Sequence, residues 1–199
     1  MILAIDSSAG TAVAITDQQG TCVARAQTED RRSHAEAIGP LISHALEQAG
    51  ADPSDITAVV MGVGPGPFTG LRVGIAAAQS FAWVRSTPVW PVRSHDSAAL
   101  SLTGEVAVVS DARRGEWAMT RYRPHPDGAV GVAVGPTQLL AKAELDASET
   151  HVEGARIIWL ESVDPAALAV AALALQSRGE QLLPARPIYL REPDVTMPQ

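Results

Sequence analysis

The residues of this 199-residue chain whose types and spacing could do chemistry are two aspartates, two serines and a loop built from glycine and proline. Asp6 ends the apolar run 2–5 and opens the turn Asp6-Ser7-Ser8-Ala9-Gly10, and Asp111 follows the apolar run 106–110 in the same way. In a two-lobed nucleotide-binding fold, strand-turn acids of this kind face each other across a cleft and hold metal-phosphate through water. The competing use of each is an Asx turn, the ordinary role of Asp after a strand. The loop in Met61-Gly-Val-Gly-Pro-Gly-Pro-Phe-Thr-Gly-Leu-Arg-Val-Gly-Ile75 joins an apolar strand to a helix, and the free amides at such a helix start favour an anion. The strict phosphate motifs fail. Gly64 to Gly70 is one residue too long for a Walker A loop and Leu71 stands where its lysine belongs, while Pro67 occupies the third glycine of a dinucleotide fingerprint. A rigid turn or a protein-contact surface therefore stands beside phosphate binding as a use for this loop.

Other catalytic constellations are missing. His34, His44, His95, His125 and His151 include no His-Glu-x-x-His or His-x-x-x-His pair, and His34 and His44 point about 80° apart if they share one helix. No metal site is expected. There is no Gly-x-Ser-x-Gly elbow, and Ser7 and Ser8 have no base that the sequence makes evident. No catalytic residue is assigned.

Composition narrows the class further. Hydrophobic residues make up 46% of the chain, ample for a core, and a net charge of −7 argues against a stand-alone nucleic-acid binder. The pairs Arg31/Arg32, Arg113/Arg114 and Arg121/Arg123 read equally as solvated ends or as contact sites. Cys22 alone cannot form an internal disulfide, residues 2–5 run straight into a strand without a basic leader, and the apolar run 166–175 is far short of the ~20 residues of a membrane span. The expected compartment is the cytosol.

The elements that must position these residues follow from periodicity. Runs 2–5, 12–15 and 22–24 read as three strands of an antiparallel meander. A helix follows with Ser33 and Glu36 as a capping box and Gly50 as its stop, its apolar face carrying Ile38, Leu41, Ile42, Ala45, Leu46 and Ala49. Pro40 inside it predicts a kink or a broken second turn. Strand 57–61 and helix 70–84 complete a βββαβα order, and Gly70, Gly74, Ala77 and Ala78 give that helix a small-residue strip, suited to packing on its own sheet or to an intermolecular contact. Residues 87–91 read as a crossover, and the lobe boundary is placed there, with residues 1–93 as the first lobe and 94–199 as a smaller second one whose C-terminal tail can return to the first. Ser94 or Asp96 starts a short helix, 106–110 and 117–122 form a hairpin around residues 111–116, and 124–135 is loop with a weak strand. Residues 136–145 carry a short helix, 157–159 a strand, and Asp164-Pro165 caps a helix ending before Gly179.

The set Ile2-Leu-Ala-Ile-Asp-Ser-Ser8, Gly64-Pro-Gly-Pro-Phe-Thr-Gly-Leu-Arg-Val-Gly74, Asp111-Ala-Arg-Arg-Gly-Glu116 and Pro187-Ile-Tyr-Leu-Arg191, in this order, resembles the bacterial TsaB family, also called YeaZ. The helix opening at Ser33-His-Ala-Glu36 is similar to that family's first helix. The resemblance implies an α/β, two-lobed fold of the actin-like ATPase, sugar kinase and Hsp70 type, RNase H-like, with a reduced second lobe. It also implies membership of the complex that makes N6-threonylcarbamoyladenosine at position 37 of ANN-decoding tRNAs. In that family TsaB is not the catalyst: its paralogue TsaD transfers the group, the ATPase TsaE joins the pair, and tRNA and ATP are engaged by the complex. No cofactor is implied for this chain.

Carried onto this chain, the resemblance implies a TsaD-pairing surface on the helix after Ser33 and the helix opening at Thr69, with His34, Leu41, Gly70, Leu71, Gly74, Ile75 and Ala78 as its residues. A four-helix contact of about 800 Å² per partner would bury Leu41, Leu71 and Ile75. An exposed strip of this kind also allows a homodimer when the chain is alone. Asp6, Ser7, Ser8 and Asp111 are then a vestigial nucleotide site, the alternative being an ATPase or kinase-like enzyme that uses Asp6 and Asp111. Pro67 departs from the family's usual serine and removes a hydroxyl and an amide from the loop.

Overall fold

A computed structural model describes residues 1–28, 30 and 33–191, so the Arg31/Arg32 pair lies outside the described residues. Two sheets carry the chain. The first has the order β3-β2-β1-β4-β5, from β1 (Ile2–Asp6), β2 (Thr11–Thr16), β3 (Cys22–Thr28), β4 (Ala58–Gly62) and β5 (Val89–Val92). β1 to β3 form the antiparallel meander, whereas β4 and β5 run parallel to β1 through the helical crossovers α1 (His34–Ala49) and α2 (Phe68–Arg85).

Alternation along β1 explains why its whole length is apolar. Leu3 and Ile5 face a core with α1 and α2, and Ile2 and Ala4 face a second core with α3 (Pro165–Ser177), so both faces of the sheet are covered. The crossover expected at 87–91 is instead the strand β5. Proline at position 91 is tolerated there because β5 is an edge strand that, among the described residues, pairs only with β4.

The second sheet has the order β10-β11-β6-β7-β8, from β6 (Val106–Arg113), β7 (Glu116–Arg123), β8 (Val132–Ala133), β10 (His151–Val152) and β11 (Ala155–Trp159). β9 (Gln138–Ala141) pairs with β7, so the helix expected over 136–145 is a strand. Its pairing partner Ala118 stands opposite Leu139, and the tertiary ladder overrides local helix preference. One face of this sheet meets α3 through Ala171 and Ala174, while on the other Leu140 and Leu145 pack from the loop region around β9.

α3 belongs to both cores: Leu168, Ala169 and Ala172 pack on the first sheet, Ala171 and Ala174 on the second. Alanines at these positions let two sheets approach one helix from two sides. Asp164 caps α3 by accepting from the Ala166 amide at 2.9 Å, with Pro165 at its first position. After α3 the chain returns to the first lobe, where Leu183 and Ile188 join its core and the Ile188 amide donates to the Val63 carbonyl at 2.8 Å. Tyr189 then stacks on Phe68 with ring centroids 5.0 Å apart, and Arg191 reaches Glu116 and the Ala112 carbonyl on the β6–β7 hairpin.

α1 departs from its sequence signals in two ways. Ser33 makes no side-chain cap and its hydroxyl donates to Asp30 at 2.6 Å, so the capping box does not form; and the helix continues through Pro40 without a break. The residue is accommodated on the exposed side, where only the Glu36 carbonyl lacks its helical donor. Gly50 does end α1 in the left-handed conformation, at φ 59°.

Candidate functional site

The β1–β2 turn, the Gly/Pro loop, the first turn of α2 and the β6–β7 hairpin converge on a cleft of about 680 Å³ between the two sheets. Its walls include Ser8, His34, Phe68 and Gly70 on one side and Ser110, Asp111, Trp117 and Trp159 on the other.

Asp6 does not reach this cleft. It is 1% exposed, accepts from the Ser8 amide at 2.7 Å and hydroxyl at 2.6 Å through Oδ1, and from the Ser94 hydroxyl at 2.5 Å through Oδ2. Ser94 in turn accepts from the Gly64 amide at 3.0 Å, and a Cβ on Gly62 would collide with the Asp6 carboxylate. Burial pushes the Asp6 carboxyl above the usual range, against the hydrogen bonds from Ser8 and Ser94. Asp6 is thus a buried knot that ties β1, the Gly/Pro loop and the 3-10 turn Ser94–Ala98 together.

Asp111 has a different environment. It sits half-buried on the cleft wall, ion-paired to Lys142 at 3.0 Å and Arg113 at 3.4 Å. Partial burial pushes its carboxyl up, but the Lys142 hydrogen bond, the Arg113 amide and both cations outweigh this and hold it below the ordinary value. The expected meeting of Asp6 and Asp111 across a cleft is corrected: one acid is sealed beneath the turn and the other is held by its own cations. Among the described residues no three His, Cys, Asp or Glu side chains are grouped to hold a metal ion.

Ser7 explains the small-residue strip. Its hydroxyl donates to the Gly70 carbonyl at 2.7 Å and accepts from the Gly74 amide at 2.9 Å, bridging the two groups that would close one turn of α2. A Cβ at Gly70 would lie 2.8 Å from the Ser7 carbonyl oxygen, and one at Gly74 would collide with the Ser7 hydroxyl. The two glycines let the β1–β2 turn dock on the helix.

The residues expected to pair with a partner face the chain's own core. Gly70, Leu71, Gly74, Ile75, Ala78 and His34 are all buried inside the chain's own first lobe, and Leu41 is partly buried against the same core. The sequence strip was ambiguous because close approach within a chain and between chains call for the same small residues. The outward side of α2 instead carries Trp83, 85% exposed, and Val84, 73% exposed, beside Ala76 and Ser80.

A second buried polar group carries no sequence signal beyond the run Ser94-His95-Asp96. His95 lies between the Thr120 and Ser110 hydroxyls at 2.8 Å each, and burial, with the nearby Arg93 cation, pulls its pKa down to about 3. Asp96 accepts from the Tyr122 hydroxyl at 2.7 Å, and burial raises its carboxyl against the pull of Arg93. These residues join the 3-10 turn Ser94–Ala98 to β6 and β7.

The order β3-β2-β1-β4-β5, a second sheet facing it and a cleft between them define the α/β, RNase H-like architecture of the actin-like ATPase class. A crystal structure from Pseudomonas aeruginosa, described as an uncharacterized protein with similarity to peptidase YeaZ, superposes with a TM-score of 0.74 at 25% identity, covering 96% of this chain and 99% of that one. The family model for TsaD, tRNA N6-adenosine threonylcarbamoyltransferase, matches residues 23–153. An uncharacterized protein of Mycobacterium tuberculosis is 35% identical over 97% of this chain and 92% of its own length. The tRNA threonylcarbamoyladenosine biosynthesis protein TsaB of Bacillus subtilis is 30% identical over 58% of this chain and 52% of its own. The chain belongs to the TsaB (YeaZ) family, within the wider group that the TsaD model describes.

Proposed function

We propose that this chain is a non-catalytic partner subunit in the formation of N6-threonylcarbamoyladenosine on tRNA, pairing with a TsaD subunit and, through that pair, working with TsaE, ATP and tRNA. The observation that carries the reading is the state of Asp6. The acid that would hold metal-phosphate in an active member of this fold accepts from Ser8 on one oxygen and Ser94 on the other and lies beneath the turn. The residues at the centre of the fold serve cohesion, and the chemistry falls to the partner.

The pairing surface in this reading is the outward side of α1 and α2. Trp83 and Val84 are large apolar groups left in water, and tryptophan is among the residues that dominate interface energies when a partner covers them. Glu36, Pro40 and His44 lie on the exposed side of α1. The same side would serve a homodimer in the absence of the partner.

The test is reconstitution: tRNA modification measured in a mixture of TsaD, TsaE, ATP, threonine and bicarbonate, with and without this chain. Modification that requires the chain, together with no turnover by the chain alone, supports the reading. Equal modification without it refutes the reading.

A further inference from the structure

The tip of the β6–β7 hairpin is held in a costly backbone conformation. Arg113 and Arg114 have φ of 65° and 54°, the left-handed region that residues other than glycine rarely enter, and Gly115 follows at 76°. Strain of this kind persists where surrounding contacts over-determine it, and it gathers at binding sites. One such contact is Arg191 of the returning C-terminal segment. Its guanidinium donates to the Ala112 and Arg113 carbonyls at 3.2 Å each and pairs with Glu116.

The hairpin tip, this segment and the Gly/Pro loop enclose a groove of about 490 Å³, apart from the cleft walls at Ser8, His34, Trp117 and Trp159. Its apolar surface comes from Pro67, Leu139, Ile188 and Leu190, each only partly buried. Arg113, Arg114 and Arg191 line it as well. Among the described residues no acid lines it; Asp111 and Glu116, which pair with Arg113 and Arg191, stand outside. A chain of net charge −7 thus keeps one groove cationic over an apolar base.

A cationic rim suits RNA or an acidic protein segment, and the rest of the lining decides between them. Single-stranded RNA is held by aromatic rings on which its bases stack. The rings here, Phe68 and Tyr189, are stacked on each other, with the Arg72 guanidinium 3.7 Å from the Phe68 centroid and its Nε donating to the Tyr189 hydroxyl at 2.9 Å. What remains is aliphatic, a surface for an aliphatic side chain, and the arginine forks above it match carboxylates.

We propose that this groove takes an acidic, extended segment of a partner protein, with an aliphatic side chain on Leu139, Ile188 and Leu190 and carboxylates on Arg113, Arg114 and Arg191. The surface is separate from the one proposed for TsaD pairing, since Phe68 opens α2 and Trp83 lies about 22 Å further along it. The two readings also fail separately: reconstitution reads the Trp83 side, and the groove is read with this chain alone.

The experiment is fluorescence anisotropy of the whole chain with a labelled hexapeptide of alternating glutamate and leucine. It is run beside alternating lysine and leucine, alternating glutamate and serine, and a hexauridylate RNA. Saturable binding of the first peptide is expected, with the three others at least about tenfold weaker, and NMR shifts of the Leu139, Ile188 and Leu190 methyls place it in the groove. Arg114→Glu, at an exposed turn position, is expected to weaken binding about tenfold and to lessen its dependence on salt, with Arg114→Lys near the parent. Absence of saturable binding, an affinity unchanged in Arg114→Glu, or tighter binding of the RNA overturns the proposal. So does a concentration-dependent dimer that Arg114→Glu dissociates, which gives the groove to a second copy of this chain.

Discussion

Asp6 and Asp111 arrive in the same sequence setting, each closing an apolar strand, and they end in opposite environments. The first is sealed under the Gly/Pro loop, with the Ser8 amide and hydroxyl donating to one oxygen and the Ser94 hydroxyl to the other, and the second is held at the cleft wall by Lys142 and Arg113. The difference follows from what covers each strand end. In the first case, Gly62, Gly64 and the 3-10 turn at Ser94 close over the acid. In the second, the hairpin tip stays open and Asp111 is satisfied by cations that water also reaches. A carboxylate after a strand is therefore no guide to function until its cover is known.

The same contrast can be broken at several points. The largest effect belongs to the inner side of α2. Leu71→Asp and Gly74→Arg are expected to unfold the first lobe, since one buries an unpaired charge in a fully buried position and the other drives a side chain into Ser7. Loss of the cooperative thermal transition checks this, and a native-like transition in either variant would contradict the packing described for the helix.

Asp6→Ala comes next, expected to cost about 3 kcal/mol because the Ser8 and Ser94 donors lose a buried acceptor. Asp111→Ala should cost no more than about 1 kcal/mol, its ion pairs being partly exposed. Urea unfolding of the two variants side by side measures the ratio.

His95 sharpens the comparison through pH. Its folded pKa of about 3 lies below the ordinary 6.5, so below pH 6.5 the unfolded chain takes up a proton that the native chain refuses. Stability from this group is complete above pH 6.5 and is lost as pH falls toward 3, by on the order of 1 kcal/mol per pH unit. Asp6 and Asp96, with carboxyls raised by burial, work the other way: the native chain binds their protons first, and the cost of charging them is relieved on acidification. The readout is the difference in slope between the parent and His95→Gln, which should flatten in the range from pH 6.5 to 4; parallel curves would contradict a neutral buried His95.

The smallest effect on stability and the largest on association belong to the outward side. Trp83→Ala should change the thermal midpoint little, because the residue is 85% exposed, while greatly reducing co-purification with a TsaD partner.

Much of the first lobe was legible in the sequence. Strict apolar runs marked β1, β2 and β4, and Gly50 and Asp164-Pro165 marked helix ends, because each signal is local and sterically forced. What escaped was set by tertiary pairing. β5 hid behind two prolines and β9 behind helix-compatible residues, since edge and ladder positions are decided by a neighbouring strand. At the site, the sequence pointed to segments that line the cleft, and the strip it singled out on α2 is the side that faces the chain's own core. Spacing identifies Gly70 and Gly74 as points of close approach, but only the Ser7 hydroxyl in the fold says what approaches. Trp83 and Val84 gave no signal, because an apolar helical residue reads as core until its face is seen to be empty.

The reading stands or falls on what this chain adds to a partner. The direct measurement is the amount of N6-threonylcarbamoyladenosine formed on tRNA by TsaD, TsaE, ATP, threonine and bicarbonate with the parent chain, with Trp83→Ala, and with no chain added. Full product with the parent, a large loss with Trp83→Ala and none without the chain is the expected result. Equal product in all three, or product from this chain without TsaD, would contradict it.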